Sequence, residues 1–209
     1  MERLLPHKIA IRISNKVVNY NQELEPQKDE IRYGLEWLIA SINQILLVTS
    51  FSLPLGIFKE AIIILVVGAL LRMFSGGAHF KGYFSCLFFS TFQIIIISYF
   101  AKYQFEFLQG NKAVITALLI FSLLITILRA PVLNKKSNQF NYGQRLKLKI
   151  VSILLFVTFV LISITVVSNT PIMYCVYLAL ILQAFSLTSF AKLTFGFYDR
   201  THKLSILRR

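Results

Sequence analysis

The stretch Arg72-Met73-Phe74-Ser75-Gly76-Gly77-Ala78-His79-Phe80-Lys81-Gly82-Tyr83-Phe84-Ser85-Cys86 separates two strongly apolar segments of this chain. It holds one of the three histidines and one of the two cysteines of the protein. The thiolate is the nucleophilic form of cysteine, and an adjacent imidazole can generate it. The stretch therefore predicts nucleophilic chemistry at the edge of a membrane, with the rest of the chain holding this pair.

Apolar runs dominate the chain on both sides of this stretch. Of the 209 residues, 56% are hydrophobic, and the mean hydropathy is +0.67, far above the level of soluble proteins. Six runs have roughly the length that crosses a hydrocarbon core of about 30 Å. They are Leu35–Ser52, Ile57–Phe74, Phe84–Phe100, Ala113–Ala130, Ile150–Val167 and Ile172–Ala191. Because the runs are continuous rather than alternating, the sequence predicts an all-α polytopic membrane protein with six transmembrane helices.

Residues 1–34 differ in composition from the runs that follow. Basic and apolar residues are interleaved there at roughly helical spacing, which favours an amphipathic helix lying along anionic headgroups. A solvated, partly helical tail is the alternative. The segment lacks the compact apolar core of a cleavable signal peptide, and Glu23-Leu24-Glu25-Pro26 predicts a break in the helix. The predicted organisation is this N-terminal segment, a membrane domain over residues 35–191 and a basic tail over residues 192–209.

The second apolar run is the least certain crossing, because Lys59 and Glu60 leave only Ala61–Leu71 without a charge. A re-entrant loop is the alternative, and it would invert the sidedness of everything downstream. With six crossings, nineteen of the 22 basic residues fall on one side of the membrane. An asymmetry of that size predicts that this run crosses, and that both termini and the 72–86 loop are cytoplasmic.

The formal net charge of +13 is dispersed over the loops on the predicted cytoplasmic side. Charge distributed in this way orients a membrane protein and attracts anionic lipids or an acidic peptide. There is no basic block interleaved with aromatic residues, so the sequence does not favour nucleic acid. The longest of these loops, residues 133–149, is basic and is predicted to be a mobile segment that covers or feeds the site.

His79 and Cys86 are seven residues apart. On one continuous helix they would be separated by about 10 Å along the axis, whereas proton transfer needs about 3 Å. Gly76-Gly77 and Gly82 permit backbone angles that other residues avoid, so the segment can fold back. We therefore predict that the imidazole approaches a thiol in the first turn of the third span, where the helix dipole, with Lys81 or Arg72, favours the thiolate.

Structural readings of these residues compete with the catalytic one. A membrane cysteine is commonly an inert small side chain, and a histidine at a membrane edge is commonly an interface residue. Cys175 is interpreted in that inert sense. Glu36 is the only acidic residue predicted at the membrane level of the site, and is thus the candidate to orient His79. The alternative interpretation is that Glu36 is an interfacial carboxylate paired with Arg32 or Lys28. In the last span, four polar side chains are expected to pack inward: Gln183, Ser186, Thr188 and Ser189.

The segment between the second and third predicted spans contains Arg72, the sequence Gly76-Gly77-Ala78-His79 and Cys86. After two further spans follow Ala130-Pro131 and Lys135-Lys136. This pattern resembles the accessory gene regulator B (AgrB) family over essentially the whole chain. The resemblance implies a cysteine endopeptidase in a bacterial cell membrane, which removes the C-terminal tail of an AgrD-like propeptide and closes a cyclic thiolactone or lactone.

The resemblance also implies roles for individual residues. Cys86 would be the nucleophile and His79 its general base. A second set of residues would shape the site or bind substrate: Arg72, Gly76, Gly77, Lys81, Lys135 and Lys136. The resemblance implies no metal or other cofactor, and it implies a homodimer. A non-catalytic transporter or export scaffold for a peptide or anion is the alternative function, and a lipid-organising protein is a third. Neither alternative gives a role to the pair His79 and Cys86.

Overall fold

The computed structural model describes residues 5–78, 82–132 and 141–191, and helices make up most of them. The described helices are α1 (Pro6–Tyr20), a 3₁₀ helix (Gln22–Gln27), α2 (Lys28–Ser52), α3 (Phe58–Ser75), α4 (Tyr83–Tyr103), α5 (Phe105–Gly110), α6 (Lys112–Arg129), α7 (Tyr142–Val166) and α8 (Pro171–Ser186). Each of the six apolar runs is helical, which confirms the predicted all-α fold class.

Four helices in the described part of the chain are long and apolar enough to cross a membrane. They are α2 together with the preceding 3₁₀ helix, α4, α6 and α7. α3 has 18 residues but carries Lys59, Glu60 and Arg72, and α8 is apolar but only 16 residues long. The chain is therefore a membrane protein by the length and composition of its helices, while the count of six crossings stays a prediction.

Residues 5–50 belong to the first of two compact units. In α1 the buried residues Pro6, Ala10, Ser14 and Val18 recur every four positions and form one stripe along the helix. Arg12 and Lys16 are among the exposed residues of the same helix. The predicted break at Glu23–Pro26 is a 3₁₀ helix that leads directly into α2. The location of α1 at a membrane surface stays a prediction.

The second unit, from residue 51 onward, is built around α8. This helix contacts α3, α4, α5, α6 and α7, and nine of its sixteen residues are buried. α3 is its main partner and also packs against α4 and α7. Because α8 lies among five helices, polar side chains near its end can reach backbone groups of the loops that follow α3 and α6.

Many of the helix contacts of this unit are made by small side chains, although Phe156 and Tyr174 are also buried, and many large apolar side chains face outward. Ala61, Ser98, Ser152 and Ala184 are fully buried. The buried hydroxyl groups of Ser98 and Ser152 donate hydrogen bonds to the carbonyl four residues earlier. By contrast, the exposed large apolar residues include Phe88, Phe92, Phe121, Leu128 and Leu154. This distribution is typical of helices that pack closely through small residues and present apolar side chains to lipid.

Candidate functional site

Cys86 lies in the first turn of α4, as the fourth residue of that helix. Its backbone N–H donates a hydrogen bond to the carbonyl of Gly82 at 3.0 Å, which closes the first turn. The residue is partly exposed, whereas Cys175 is fully buried. The positive end of a helix dipole favours a thiolate, and partial exposure gives a substrate access to it. Cys86 thus has the helix position and the exposure that the predicted nucleophile needs, whereas Cys175 lacks the exposure; the role of Cys86 stays a prediction.

Arg72 lies in the last turn of α3 and interacts electrostatically with Cys86. Its Nη2 donates a hydrogen bond to the carbonyl of Ala78 at 2.5 Å. Its Nε is buried and has no hydrogen-bond partner among the described residues. Among the described residues, the Nε–H of this guanidinium is thus a donor that no acceptor uses. From the end of α3, Arg72 therefore donates a hydrogen bond to the glycine loop and interacts electrostatically with Cys86.

Gly76 and Gly77 have φ angles of 68° and 140°, which L side chains rarely adopt. Close contacts are a second reason for glycine at both positions. A Cβ atom on Gly76 would lie 2.1 Å from the carbonyl oxygen of Val132, and one on Gly77 would lie 2.6 Å from Oγ of Ser186. The glycines therefore allow the loop to turn and also to lie directly against the chain after α6 and the end of α8.

Backbone hydrogen bonds hold this loop on two sides. On one side, Val132 N–H donates to the Ser75 carbonyl at 2.8 Å, and Gly77 N–H donates to the Val132 carbonyl at 3.4 Å. On the other side, Ala78 N–H donates to the Ser186 carbonyl at 2.9 Å. We call Ser75–Ala78, Val132, Gln183 and Ser186 the loop clamp. The segment that ends one residue before His79 is thus fixed in place by two distant parts of the chain.

Gln183 completes the loop clamp with its side chain. The side-chain Nε2 lies 2.8 Å from the carbonyl oxygen of Gly76 and 2.9 Å from Oγ of Ser75, and donates to both. Of the four residues expected to pack inward in the last span, Gln183 and Ser186 are buried, Thr188 is half-buried and Ser189 is exposed. Nearby, Nη1 of Arg129 donates to Oγ of Ser189 at 3.1 Å. The partners of Gln183 were not predictable, because they lie more than 100 residues away along the chain.

Glu36 lies in the first compact unit and has two side-chain partners there. Its Oε2 is 3.1 Å from Nδ1 of His7 and 3.7 Å from Nη1 of Arg32. The contact with Arg32 matches the alternative reading of this residue. A role for Glu36 in orienting His79 stays a prediction.

Four of the predicted site residues lie outside the described part of the chain: His79, Lys81, Lys135 and Lys136. The approach of the imidazole to the thiol therefore stays a prediction. Within the described ranges, no group of three or more histidine, cysteine, aspartate or glutamate side chains is placed to hold a metal ion.

Comparisons with known proteins agree with this geometry. A family model described as "Accessory gene regulator B" matches residues 10–187. The chain is 31% identical over 197 residues to "Putative AgrB-like protein 2" of Clostridium perfringens strain 13, covering 86% of this chain and 88% of that protein. It is 32% identical over 157 residues to "Putative AgrB-like protein" of strain SM101, covering 69% and 72%. No solved structure matches. Since the family model spans most of the chain and includes the loop clamp, the protein belongs to the accessory gene regulator B family.

Proposed function

We propose that this protein is a membrane cysteine endopeptidase that cuts an AgrD-like propeptide and yields a cyclic thiolactone or lactone. Membership of the AgrB family implies a part in peptide processing for accessory gene regulator quorum sensing, with an AgrD-like propeptide as the partner. The observation that carries the proposal is the setting of Cys86. It is a partly exposed thiol in the first turn of α4, and it interacts electrostatically with the half-buried Arg72.

The first half of the reaction releases the C-terminal tail of the propeptide. The Cys86 thiolate attacks the scissile carbonyl carbon, and the resulting tetrahedral intermediate breaks the C–N bond. His79, protonated when it generates the thiolate, returns that proton to the departing amine. The products are the free tail and a thioester between the propeptide and Cys86. The unused Nε–H of Arg72 is a donor available for the developing negative charge on the carbonyl oxygen.

The second half closes the ring. His79, now neutral, takes the proton of a thiol or hydroxyl group within the bound peptide, and the resulting nucleophile attacks the thioester carbonyl. The C–S bond to Cys86 breaks, and the thiolate and imidazolium pair is restored. Exchange of one thioester for another is nearly neutral in energy, so ring closure depends on excluding water from the acyl-enzyme. A site at the membrane boundary would exclude water in this way; residues 142–149 of the predicted loop are the first turns of α7 and not part of a covering loop.

The proposed arrangement in the membrane has six crossings, with both termini and the site cytoplasmic. The basic-residue asymmetry supports it, and so does the helical state of all six apolar runs. Anionic lipids and the acidic part of a propeptide are the partners that the dispersed positive charge would attract. A homodimer is proposed on family membership alone.

A tail-release assay tests the proposal. An AgrD-like propeptide tagged at both ends is incubated with membrane vesicles that contain the protein, and release of the C-terminal tag is followed. Cys86→Ser should lower the rate of tail release by at least about 100-fold while the protein stays in the membrane. Cys175→Ala, the matched control at the buried thiol, should stay within about twofold of wild type. Tail release that persists in Cys86→Ser would overturn the proposal and favour a transporter or scaffold.

A further inference from the structure

We infer that Gln183 is a positioning residue for His79, acting from α8 through the loop clamp. The inference rests on the proposed peptidase function. Gln183 contributes no reacting group, and α8 carries neither member of the proposed catalytic pair. Its side chain is 6% exposed, so its hydrogen bonds are formed without competition from water.

The acceptors around Gln183 determine how its carboxamide is oriented. The Gly76 carbonyl can only accept a hydrogen bond, so the group facing it at 2.8 Å must be the NH₂. The Ser75 hydroxyl donates its own proton to the Leu71 carbonyl at 2.8 Å, which leaves its oxygen to accept from Gln183 at 2.9 Å. Both hydrogens of one NH₂ group are thus directed at the end of α3 and the first loop residue.

Gly76 depends on this donor because its backbone has left the helix. Its φ of 68° and ψ of −146° turn its carbonyl away from the helical direction. Gly76 is half-buried, and the alternative donor to its carbonyl, Oγ of Ser75, is 3.4 Å away. Gln183 is therefore the principal side chain that keeps Gly76 in this conformation.

The path from Gly76 to His79 is only three residues long. Gly77 and Ala78 are hydrogen-bonded to Val132, Ser186 and Arg72. The backbone therefore has little conformational freedom up to the residue before His79. Cys86 is placed independently, by α4. The separation between imidazole and thiol consequently depends on where the loop clamp holds the chain. Loosening Gly76 shifts His79 relative to Cys86 without altering either residue.

The test uses Gln183→Met, which keeps the side-chain length and removes both donors. In the tail-release assay the loss of both hydrogen bonds should slow cleavage by about tenfold. Gln109→Met is the matched control, because Gln109 is exposed in α5 and outside the loop clamp. Gln183→Glu is a second variant of nearly the same shape, whose carboxylate offers acceptors where donors are needed; it should show a similar loss.

A second measurement separates positioning from a general structural role. In a Cys175→Ala background, alkylation of Cys86 by iodoacetamide is measured with and without His79→Ala. If Gln183 acts through His79, then Gln183→Met slows alkylation when His79 is present and adds no further loss in the His79→Ala protein. An equal loss in both backgrounds would overturn the inference, as would wild-type rates in both Gln183 variants.

The alkylation measurement needs no propeptide, so the inference and the proposed function can fail separately. Coupling between Gln183 and His79 in a protein that shows no Cys86-dependent tail release would reject the peptidase and keep the positioning contact. Cys86-dependent tail release without that coupling would keep the peptidase and reject the inference about Gln183.

Discussion

Gln183 and Gly76 are 107 residues apart in the chain, yet Nε2 of Gln183 donates a 2.8 Å hydrogen bond to the carbonyl of Gly76. This contact connects the end of α8 to the loop that leads to His79. α8 packs against five helices and is the most buried of the described helices around the site. α8 carries neither proposed catalytic residue, but the glycine loop lies against its C-terminal end.

Gly76→Ala should be among the most damaging single changes in the loop clamp. The added methyl group would lie 2.1 Å from the Val132 carbonyl oxygen, a backbone atom that cannot move aside easily, and the residue has a φ of 68°. Backbone strain alone costs about 1–2 kcal/mol, and the clash adds to it. We expect tail release to fall by at least about 100-fold.

Gly68→Ala is the matched control for this prediction. Gly68 lies inside α3, and a Cβ atom there meets nothing within 4 Å. Alanine also favours a helix over glycine, so this variant should insert and cleave like wild type. If Gly76→Ala cleaves as well as Gly68→Ala, the close approach of Gly76 to Val132 is not required for activity.

Replacing Arg72 by Gln should slow alkylation of Cys86 and tail release together. The substitution removes the positive charge that interacts with Cys86, and weakens the hydrogen bond to the Ala78 carbonyl. We expect a loss of about tenfold or more in both rates at neutral pH, measured in the Cys175→Ala background for alkylation. A loss of tail release with unchanged alkylation would instead indicate that Arg72 acts on the substrate.

Arg129→Gln is the control for the charge itself. Arg129 also ends a helix, α6, but its guanidinium donates to Oγ of Ser189 rather than interacting with Cys86. Its removal changes the net charge of the protein by the same amount. We expect Cys86 alkylation in Arg129→Gln to stay within about twofold of wild type, because screening by salt and water weakens charge effects over longer distances.

Much of the fold was predictable because local sequence determines it. Continuous apolar runs specify helices in a membrane, and all six are helical. The start of α4 at Tyr83 and the first-turn position of Cys86 follow from the glycine at residue 82 and the apolar run after it. Positive φ angles at Gly76 and Gly77 follow from the identity of the residues.

The rest depends on contacts between distant residues, which one sequence does not specify. The inward packing of Gln183 was predictable from its polarity, but its partner Gly76 was not. The same holds for Val132, an ordinary apolar residue whose backbone bonds to the glycine loop. The extent of α3 and α8 as spans also stays open, since charges in α3 and the short length of α8 weaken the composition signal.

An ion pair between the buried Glu60 and the half-buried Lys102 lies at the other end of α3 and α4, about 18 Å along α3 from Arg72. Glu60 is 8% exposed, and its Oε1 is 3.9 Å from Nζ of Lys102, which also donates to the Gly56 carbonyl. Removing Lys102 leaves the buried Glu60 carboxylate without its cationic partner, at a cost below the about 3–5 kcal/mol of a fully buried pair because the Lys102 side chain is 35% exposed. Lys102→Met should therefore lower the thermal unfolding temperature markedly in detergent micelles.

The matched variants for this pair are Lys59→Met and the double variant Glu60→Gln with Lys102→Met. Lys59 is exposed beside Glu60, so its loss should leave the unfolding temperature near that of wild type. The double variant removes both charges and should recover most of the stability that Lys102→Met loses. Equal unfolding temperatures for Lys102→Met and Lys59→Met would show that the pair does not stabilise the fold.

The sidedness of the helices tests whether α3 crosses the membrane. Gly110 and Gly143 are both exposed, and a Cβ atom at either meets nothing within 4 Å, so each tolerates a cysteine. In a Cys86→Ser, Cys175→Ala background, a membrane-impermeant maleimide added to intact cells should label Gly110→Cys and not Gly143→Cys. Inverted vesicles should give the opposite pattern. A re-entrant α3 reverses both results, because every later helix then changes direction, and it would place Cys86 on the outer face.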